Sequence, residues 1–575
     1  MLKNIRTSRV SSIRRCYGQK PDTQYDAIIV GGGHNGLVAA AYLSKAGKKV
    51  CVLERRPIIG GAAVTEEIVK GFKFSRASYL LSLMRPQIYK DLNLKKFGLK
   101  YYLRNPSSYT PLRKPYWTSK AKSLTLSQDA AFNYAEISKF SQHDAEKYLQ
   151  YEKKMENFVD CIQPLMDISP SSLARLFSKE VPLMTKLNLI KSKDMRDAIS
   201  GLLKLSTCLP FAYEIMFTSA VDIMNKWFDS EPLKATIMTD ACVGSTLSPE
   251  TIGSSYVLIH HVMGGIDDHK GAWVYPEGGM GSVSKAIANC ALHHGAHIFT
   301  NQNVVQIHLN DRNEVEGVST EDGTFLKSSK ILSNATPQVT FLNLLPSGSL
   351  DPKYANSIAK IKYQSPVTKF NVALNKIPNF LCDPNTSENA IMPHHRCTIH
   401  LNCESMDVIL KAHEEGTNGI LPNKPLIEMT LPSSLDPTLC PEGNHVCLIF
   451  SQYTMYNLKN GQSWDRQTKD EYAKLVFDSI EEYAPGFKES IVGYEILTPP
   501  DLEKIFGLTG GHIFHGELSL DQLFFNRPAN WSTLSPYTAI KGLYLCGSGA
   551  HPGGGVTGSP GRLAALSAID DFKNK

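Results

Sequence analysis

Between Asp26 and Leu53 the hydrophobic pattern changes period twice. Asp26–Val30 is a short continuous apolar run that predicts a buried strand, and Lys49–Leu53 predicts another. The alanine-rich stretch His34–Lys45 between them predicts a helix stopped at Gly47, with the glycine turn Gly31–Gly36 at its start. A second alternation runs from Trp273 to Pro337. There the glycine loop Gly278, Gly279 and Gly281 opens a helix that ends near Gly295, and strands at His297–Thr300, Val304–Leu309, Val315–Thr320 and Lys330–Ser333 follow. Leu543–Cys546 predicts a last strand, and a helix starts at about Gly558.

The rest divides by period. From Gly71 to Gly271 apolar residues recur at spacings of three and four, broken by SPSS and CLP, which predicts mainly helices. His260–His261 reads as part of a buried strand, and PFAYEIMFTSAVDIM as core rather than a substrate tunnel. SPVTKFNVALNKIP, NHVCLIFSQYTMY and SIVGYEILTPPDLE read as strands of period two. A sheet with a helical cap, entered and left twice by the chain, fits this order.

A length of 575 residues predicts two or three domains. Net charge is only +6 with the basic residues dispersed, which argues against nucleic acid as a partner. The 12 cysteines are scattered singly, with no C-x-x-C, so neither a metal knuckle nor a redox pair is expected and no metal is assigned. Lys3, Arg6, Arg9, Arg14, Arg15 and Lys20 lie among serines, with no acid before Asp22 and no apolar h-region. Residues 1–20 therefore read as a mitochondrial transit peptide, cut just after Tyr17, and the matrix as the location. No apolar run is long enough to span a membrane, although peripheral contact with the inner membrane or its proteins is compatible with the chain.

The first βαβ unit carries candidate chemistry. Gly31 permits the tight turn, Gly33 the close approach of a pyrophosphate, and Gly36 close packing of helix on strand. The phosphate charge would sit on the free N–H groups of the helix start. Glu54 ends the second strand, placed for ribose hydroxyls. A second G-x-G-x-x-G at Gly553, Gly555 and Gly558 follows His551-Pro552 rather than a strand, and too little chain remains after it for a second βαβ unit. Without that unit or a paired cysteine motif, a disulfide reductase is excluded.

Past Glu54, RRPIIGGAAVTEE resembles the second glycine pair of FAD-containing amine oxidases and phytoene desaturases, with Ala62 where those families commonly carry arginine. LYLCGSGAHPGGGVTGSPG resembles the C-terminal FAD signature of the desaturases. The resemblance covers nearly the whole chain beyond the presequence and is closest to the phytoene-desaturase-like FAD oxidoreductases. It implies an α/β plus α+β fold, with a discontinuous Rossmann-like FAD-binding domain at 22–95, 262–345 and 505–575 and an inserted sheet-plus-helix substrate domain at 96–261 and 346–504. The FAD contacts it implies are Gly31, Gly32, Gly33, His34, Asn35, Gly36, Glu54, Arg55, Gly60, Gly61, Ala62, Val305 at the adenine, and Gly547, Ser548, Gly555, Val556 and Thr557 under the flavin. Asn334, Ala335 and Pro337 resemble the turn that brings the chain back past the cofactor.

The implied reaction is two-electron removal of hydride from a small, lipophilic substrate. A flavin amine oxidase, or a mitochondrial FAD-retaining scaffold with little turnover, are the alternatives. No catalytic base is assigned; His551, in the flavin segment, and His515, with His512 in GGHIFHG, are the candidates.

Overall fold

Ala27–Val30 is buried along its whole length at the centre of a five-stranded parallel sheet. The order is His297–Phe299, Val50–Leu53, Ala27–Val30, Ile331–Ser333, Leu543–Leu545. The computed structural model describes residues 21–267, 269–529 and 535–573, so the expected transit peptide at 1–20 lies outside the described residues. Alternate residues sort to opposite faces of this sheet. Ala27, Ile29, Val50 and Val52 pack with the helices His34–Lys45, Gly281–His293 and Ser559–Lys573. Ile28, Val30, Cys51 and Leu53 meet Ile307, Val318 and Leu326 of an antiparallel meander formed by Val304–Leu309, Val315–Thr320 and Phe325–Lys327. Both faces are covered, which is why these short strands read as unbroken apolar runs.

A second sheet of seven strands has the order Ile491–Leu497, Val367–Leu374, His445–Gln452, Leu426–Thr430, Thr398–Leu401, Ser108–Pro111, Ser123–Leu126. All its pairings are antiparallel except that of Thr398–Leu401 with Ser108–Pro111. One face carries Phe370, Val372, Ile399, Ile427, Met429 and Ile449, packed on the helix Arg466–Tyr483 through Tyr472, Val476 and Ile480. Period two then sends Val367, Lys369, Thr398, His400, Glu428 and Phe450 to the other face, over which the helices Gln142–Ile162, Glu231–Cys242 and Tyr256–Val262 lie as a lid.

Two expectations for the 71–271 stretch are corrected. His260 and His261 lie on the helix Tyr256–Val262, not a strand; seven apolar-rich residues do not distinguish the two periods. The stretch also contributes strands at Phe72–Ser75, Tyr101–Leu103, Ser108–Pro111 and Ser123–Leu126. Each is only three or four residues long, too short for period two to register. PFAYEIMFTSAVDIM is core on one face only: Phe211, Ile215, Ile223 and Met224 are buried in the helical layer, while Tyr213 and Phe217 are exposed.

Candidate functional site

The glycine turn after Ala27–Val30 is held from three sides. Gly31 adopts φ +96°, and a side chain at Gly36 would place Cβ 2.2 Å from the Gly31 carbonyl oxygen. The Glu54 carboxylate accepts from the Gly32 and Arg56 amides, each at 2.8 Å. Gly60, at φ +116°, donates its amide to the Gly32 carbonyl at 2.8 Å, so the second glycine pair closes directly onto the first turn. Asn334 forms the third side: its amide donates to the Val30 carbonyl at 2.8 Å, and a Cβ on Gly33 would come 2.7 Å from its Nδ2.

The C-terminal segment meets the same turn. Gly547 lies so close that its Cβ would sit 2.8 Å from the Asn334 carbonyl oxygen. Asn35 Nδ2 donates to Ser548 Oγ at 3.2 Å, and a Cβ on Gly561 would stand 2.1 Å from the Asn35 carbonyl. Gly553, Gly555 and Gly558 all have positive φ, +126°, +92° and +73°. The glycine spacing there serves a left-handed path into the helix Ser559–Lys573 rather than a second nucleotide turn. Thr557 caps that entry, its Oγ1 accepting from the Ser559 amide at 3.2 Å and its carbonyl from the Arg85 amide at 3.0 Å.

The expected residues separate into those the fold brings together and those it does not. Gly31–Gly36, Glu54, Gly60, Gly61, Gly547 and Ser548 pack against one another, while His34, Ala62, Ser548, Gly555 and Val556 line one cavity beside them; Gly31, Gly32, Gly33, Asn35, Gly36, Glu54, Gly60, Gly61 and Gly547 stand behind that lining. Val305 sits at a bulge between Val304 and Gln306 and is 45% exposed. Arg55 turns away: its Nη2 donates to the carbonyls of Lys504 at 3.1 Å and Ile505 at 3.3 Å, capping the helix Pro499–Phe506. His551 also lies outside the cavity lining; its Nε2 bonds the Leu165 carbonyl at 3.1 Å, and its ring stacks on Phe525. His515 does line the cavity. His512 is buried, and its Nδ1 accepts from the Phe514 amide at 3.2 Å.

Arg527, which sequence reasoning passed over, pins this region. It is 1% exposed and donates to the carbonyls of Phe514, Gly516, Glu517, Gln522 and Ser548, tying the His515 loop to the C-terminal glycine segment. Burial holds His34 down to about 4 and His260 and His515 to about 3, so these imidazoles are neutral. Among the described residues, His34 Nε2, Asn35 Oδ1 and His515 Nδ1 are buried without a hydrogen-bond partner. Orphaned polar atoms around a cradle of glycines fit a ligand that is itself rich in donors and acceptors.

The cavity beside the glycine turns measures about 620 Å³, within the usual range for small-molecule sites. One rung of the seven-stranded sheet forms its floor: Lys369 pairs with Phe450, Phe450 with Glu428, and Glu428 with His400. Lys369 is 2% exposed, and burial lowers its ammonium to about 7. Its Nζ donates to the Phe370 carbonyl at 3.1 Å and Asn371 Oδ1 at 3.0 Å. Burial raises Glu428 to about 7, and nearby Asp240 adds to the rise; Tyr79 donates to Glu428 Oε2 at 3.0 Å. Burial also raises Asp240 and Glu152 to about 7. None of these residues was singled out by sequence. The one signal available was a lone charge inside an apolar strand, Lys369 in VTKFNVAL and Glu428 in LIEMT.

Residues 29–93 match the NAD(P)-binding Rossmann-like domain family. Over 553 residues the chain is 50% identical to pyridine nucleotide-disulfide oxidoreductase domain-containing protein 2 of Rattus norvegicus, spanning 96% of this chain and 94% of that protein. It is 26% identical over 574 residues to a limonene dehydrogenase polypeptide of Castellaniella defragrans, spanning 96% and 95% of the two chains. Its fold is similar to that of cyclohexylamine oxidase from Brevibacterium oxydans, with a TM-score of 0.55 at 14% identity over 96% of this chain and 100% of that one.

Proposed function

The chain belongs to the family of pyridine nucleotide-disulfide oxidoreductase domain-containing protein 2; we propose that it is an FAD-dependent oxidoreductase of the mitochondrial matrix that oxidises a mainly apolar small molecule by two electrons. The family name does not carry the chemistry of disulfide reduction here. The sequence has no C-x-x-C, and Cys161 and Cys208, whose thiols approach to 3.7 Å, lie outside the cavity lining.

The observation that carries the reading is that one cavity is walled by both glycine segments. His34 and Ala62 line it from the N-terminal side, Ser548, Gly555 and Val556 from the C-terminal side. FAD held there would take its diphosphate on Gly31–Gly36 and its ribose on Glu54, and would supply the hydride-accepting ring. The chain's own residues shape the apolar space beside it, through Leu83, Val243, Leu258, Phe450 and Phe514, and exclude water. The limonene dehydrogenase relative, whose name indicates an apolar substrate, supports the same substrate class.

Purification followed by anaerobic photoreduction and reoxidation with oxygen or a quinone tests the proposal. Co-purified yellow cofactor that is reduced and then reoxidised is expected. Colourless protein would overturn the cofactor assignment, and reduced flavin that reacts with no acceptor would leave a flavin-retaining scaffold.

Two further parts of the reading concern location. The basic, acid-free residues 1–20 support import into mitochondria, with a mature N-terminus just after Tyr17 as the mass-spectrometric check. No described helix is long and apolar enough to cross a membrane. The segment 177–217 nevertheless exposes Phe177, Leu183, Met184, Leu203 and Tyr213, each at 67% or more, alongside Lys179, Lys186, Lys191 and Lys204. Exposed apolar side chains interspersed along one segment with lysines suit an anionic lipid surface.

A further inference from the structure

Three carboxylates that hydride removal does not require line the cavity from three separate elements: Glu152 from Gln142–Ile162, Asp240 from Glu231–Cys242 and Glu428 from Leu426–Thr430. None has a cation within ion-pairing distance among the described residues. Tyr148 donates to Glu152 and Tyr79 to Glu428, while Asp240 experiences burial alone. Asp240 is also felt by Tyr148, Tyr151 and Glu428, so the three carboxylates share one region of the cavity.

The cations that face this region are committed elsewhere. Lys369 is separated from Glu428 by Phe450 and bonds Phe370 and Asn371, with its Nζ 5.3 Å above the Tyr79 ring. Arg104 donates to the Ser107 carbonyl and Thr398 Oγ1 and lies over Tyr275; its field, like that of His261, lowers Glu428, but burial outweighs both. Lys270 pairs with exposed Asp160, and Lys153 lies 3.7 Å from exposed Glu156. His261 bonds the Val257 carbonyl, and burial lowers it, as it does His260 and His400. A buried carboxylate without a partner is costly, and a small molecule carrying positive charge supplies what the fold withholds.

We propose that the cavity recognises a cationic amphiphile, an alkyl ammonium whose charged end is held between Asp240 and Glu428 with Glu152 beside them, and whose apolar part lies along Leu83, Leu258 and Phe514. The proposal rests on the cavity being the substrate cavity of the function proposed above. It narrows an apolar substrate to one with a positively charged end.

Calorimetric titration of the purified protein with 1-aminooctane and with 1-octanol, which differ only in the charged group, tests it. At about pH 8 the amine is expected to bind at least about tenfold more tightly than the alcohol, a difference that D240N combined with E428Q abolishes. The preference is also expected to grow from about pH 6 to about pH 8 as the carboxylates ionise, Lys369 losing charge over the same interval. Equal or tighter binding of the alcohol, a preference that survives in the double variant, or one that falls with pH would each overturn the proposal. Should the double variant fail to fold, E152Q and the wild-type pH series decide the matter. The heats do not depend on colour, so a colourless protein that still prefers the amine would defeat only the cofactor assignment.

Discussion

Lys369 and Glu428 stand on the same rung of the seven-stranded sheet, separated by Phe450 on the strand between them. Two strand spacings put them about 9–10 Å apart, too far for an ion pair. Burial instead pushes each toward its neutral form, lowering Lys369 to about 7 and raising Glu428 to about 7. A site built this way keeps its charge state adjustable near neutral pH, which an internal salt bridge would have fixed.

The two groups bias stability in opposite directions with pH. Above about 7 Glu428 is ionised in a buried setting, while below the ordinary glutamate range it is protonated in both folded and unfolded chains. E428Q is therefore expected to raise the thermal midpoint of the unliganded protein at pH 8, with the gain fading as pH falls to about 4. Differential scanning calorimetry at the two pH values checks this. A gain as large at pH 4 would mean that the effect is packing and not charge.

Lys369 has the mirror-image dependence. Its folded-state value lies below the unfolded one, so its destabilisation is complete below about pH 7 and fades as pH rises toward the ordinary lysine range. K369M should raise the midpoint by about 3 °C or more at pH 6, and by progressively less toward pH 10. A pH-independent shift would contradict the buried-charge account.

Gly36 and Gly561 are close-approach glycines whose added Cβ would meet backbone carbonyls at 2.2 Å and 2.1 Å. A carbonyl oxygen cannot swing aside as a side chain does, so G36A and G561A are each expected to cost about 1–3 kcal/mol or more. Loss of co-purifying flavin should accompany the lowered midpoint. Wild-type flavin content in G561A would show that the helix Ser559–Lys573 can shift without opening the cleft.

Arg55 and Arg527 make a contrasting pair. Arg55 caps an exposed helix end, so R55A should leave flavin content unchanged, measured as the absorbance ratio of the purified protein. Arg527 satisfies five buried carbonyls, and a lysine can reach only some of them. R527K is expected to cost at least about 3 kcal/mol and to release flavin, read from denaturant midpoints and filtrate absorbance.

Segment 177–217 gives a sedimentation assay. Full-length protein should pellet with vesicles of phosphatidylcholine and anionic phosphatidylserine more than with phosphatidylcholine alone, and less so when salt is raised. Replacing Phe177, Leu183 and Leu203 by serine should remove most of the binding. Equal pelleting with both vesicle types would eliminate the role of the lysines.

What the sequence revealed depended on whether the requirement was local. Gly31, Gly36 and Glu54 could be read in place because turn, helix start and strand end follow one another within one βαβ unit, and His34–Lys45 falls where the alanine pattern put it. The path of Arg55 could not be read, because its acceptors at Lys504 and Ile505 come from a distant element. The role of His551 was hidden for the same reason, since Leu165 reaches it from the helical layer. Asp240, Glu152 and Glu428 each looked like one more acid in a helix or strand. Only the stacking of sheet against lid makes them a group, and no spacing along the chain encodes that. Cys161 and Cys208 likewise meet only in the fold.

The strand Leu543–Leu545 completes the parallel sheet beside Ile331–Ser333, and the glycine run behind it closes the cleft against Asn35 and Asn334. A ribosome delivers this strand about 500 residues after the Gly31–Gly36 turn that it helps to close. The Gly31–Gly36 turn must therefore wait, half-walled, until the segment from Leu543 to Gly561 emerges. Chains released early would carry an incomplete sheet edge and an open cleft. Retained flavin would thus report that synthesis has run past the closing segment.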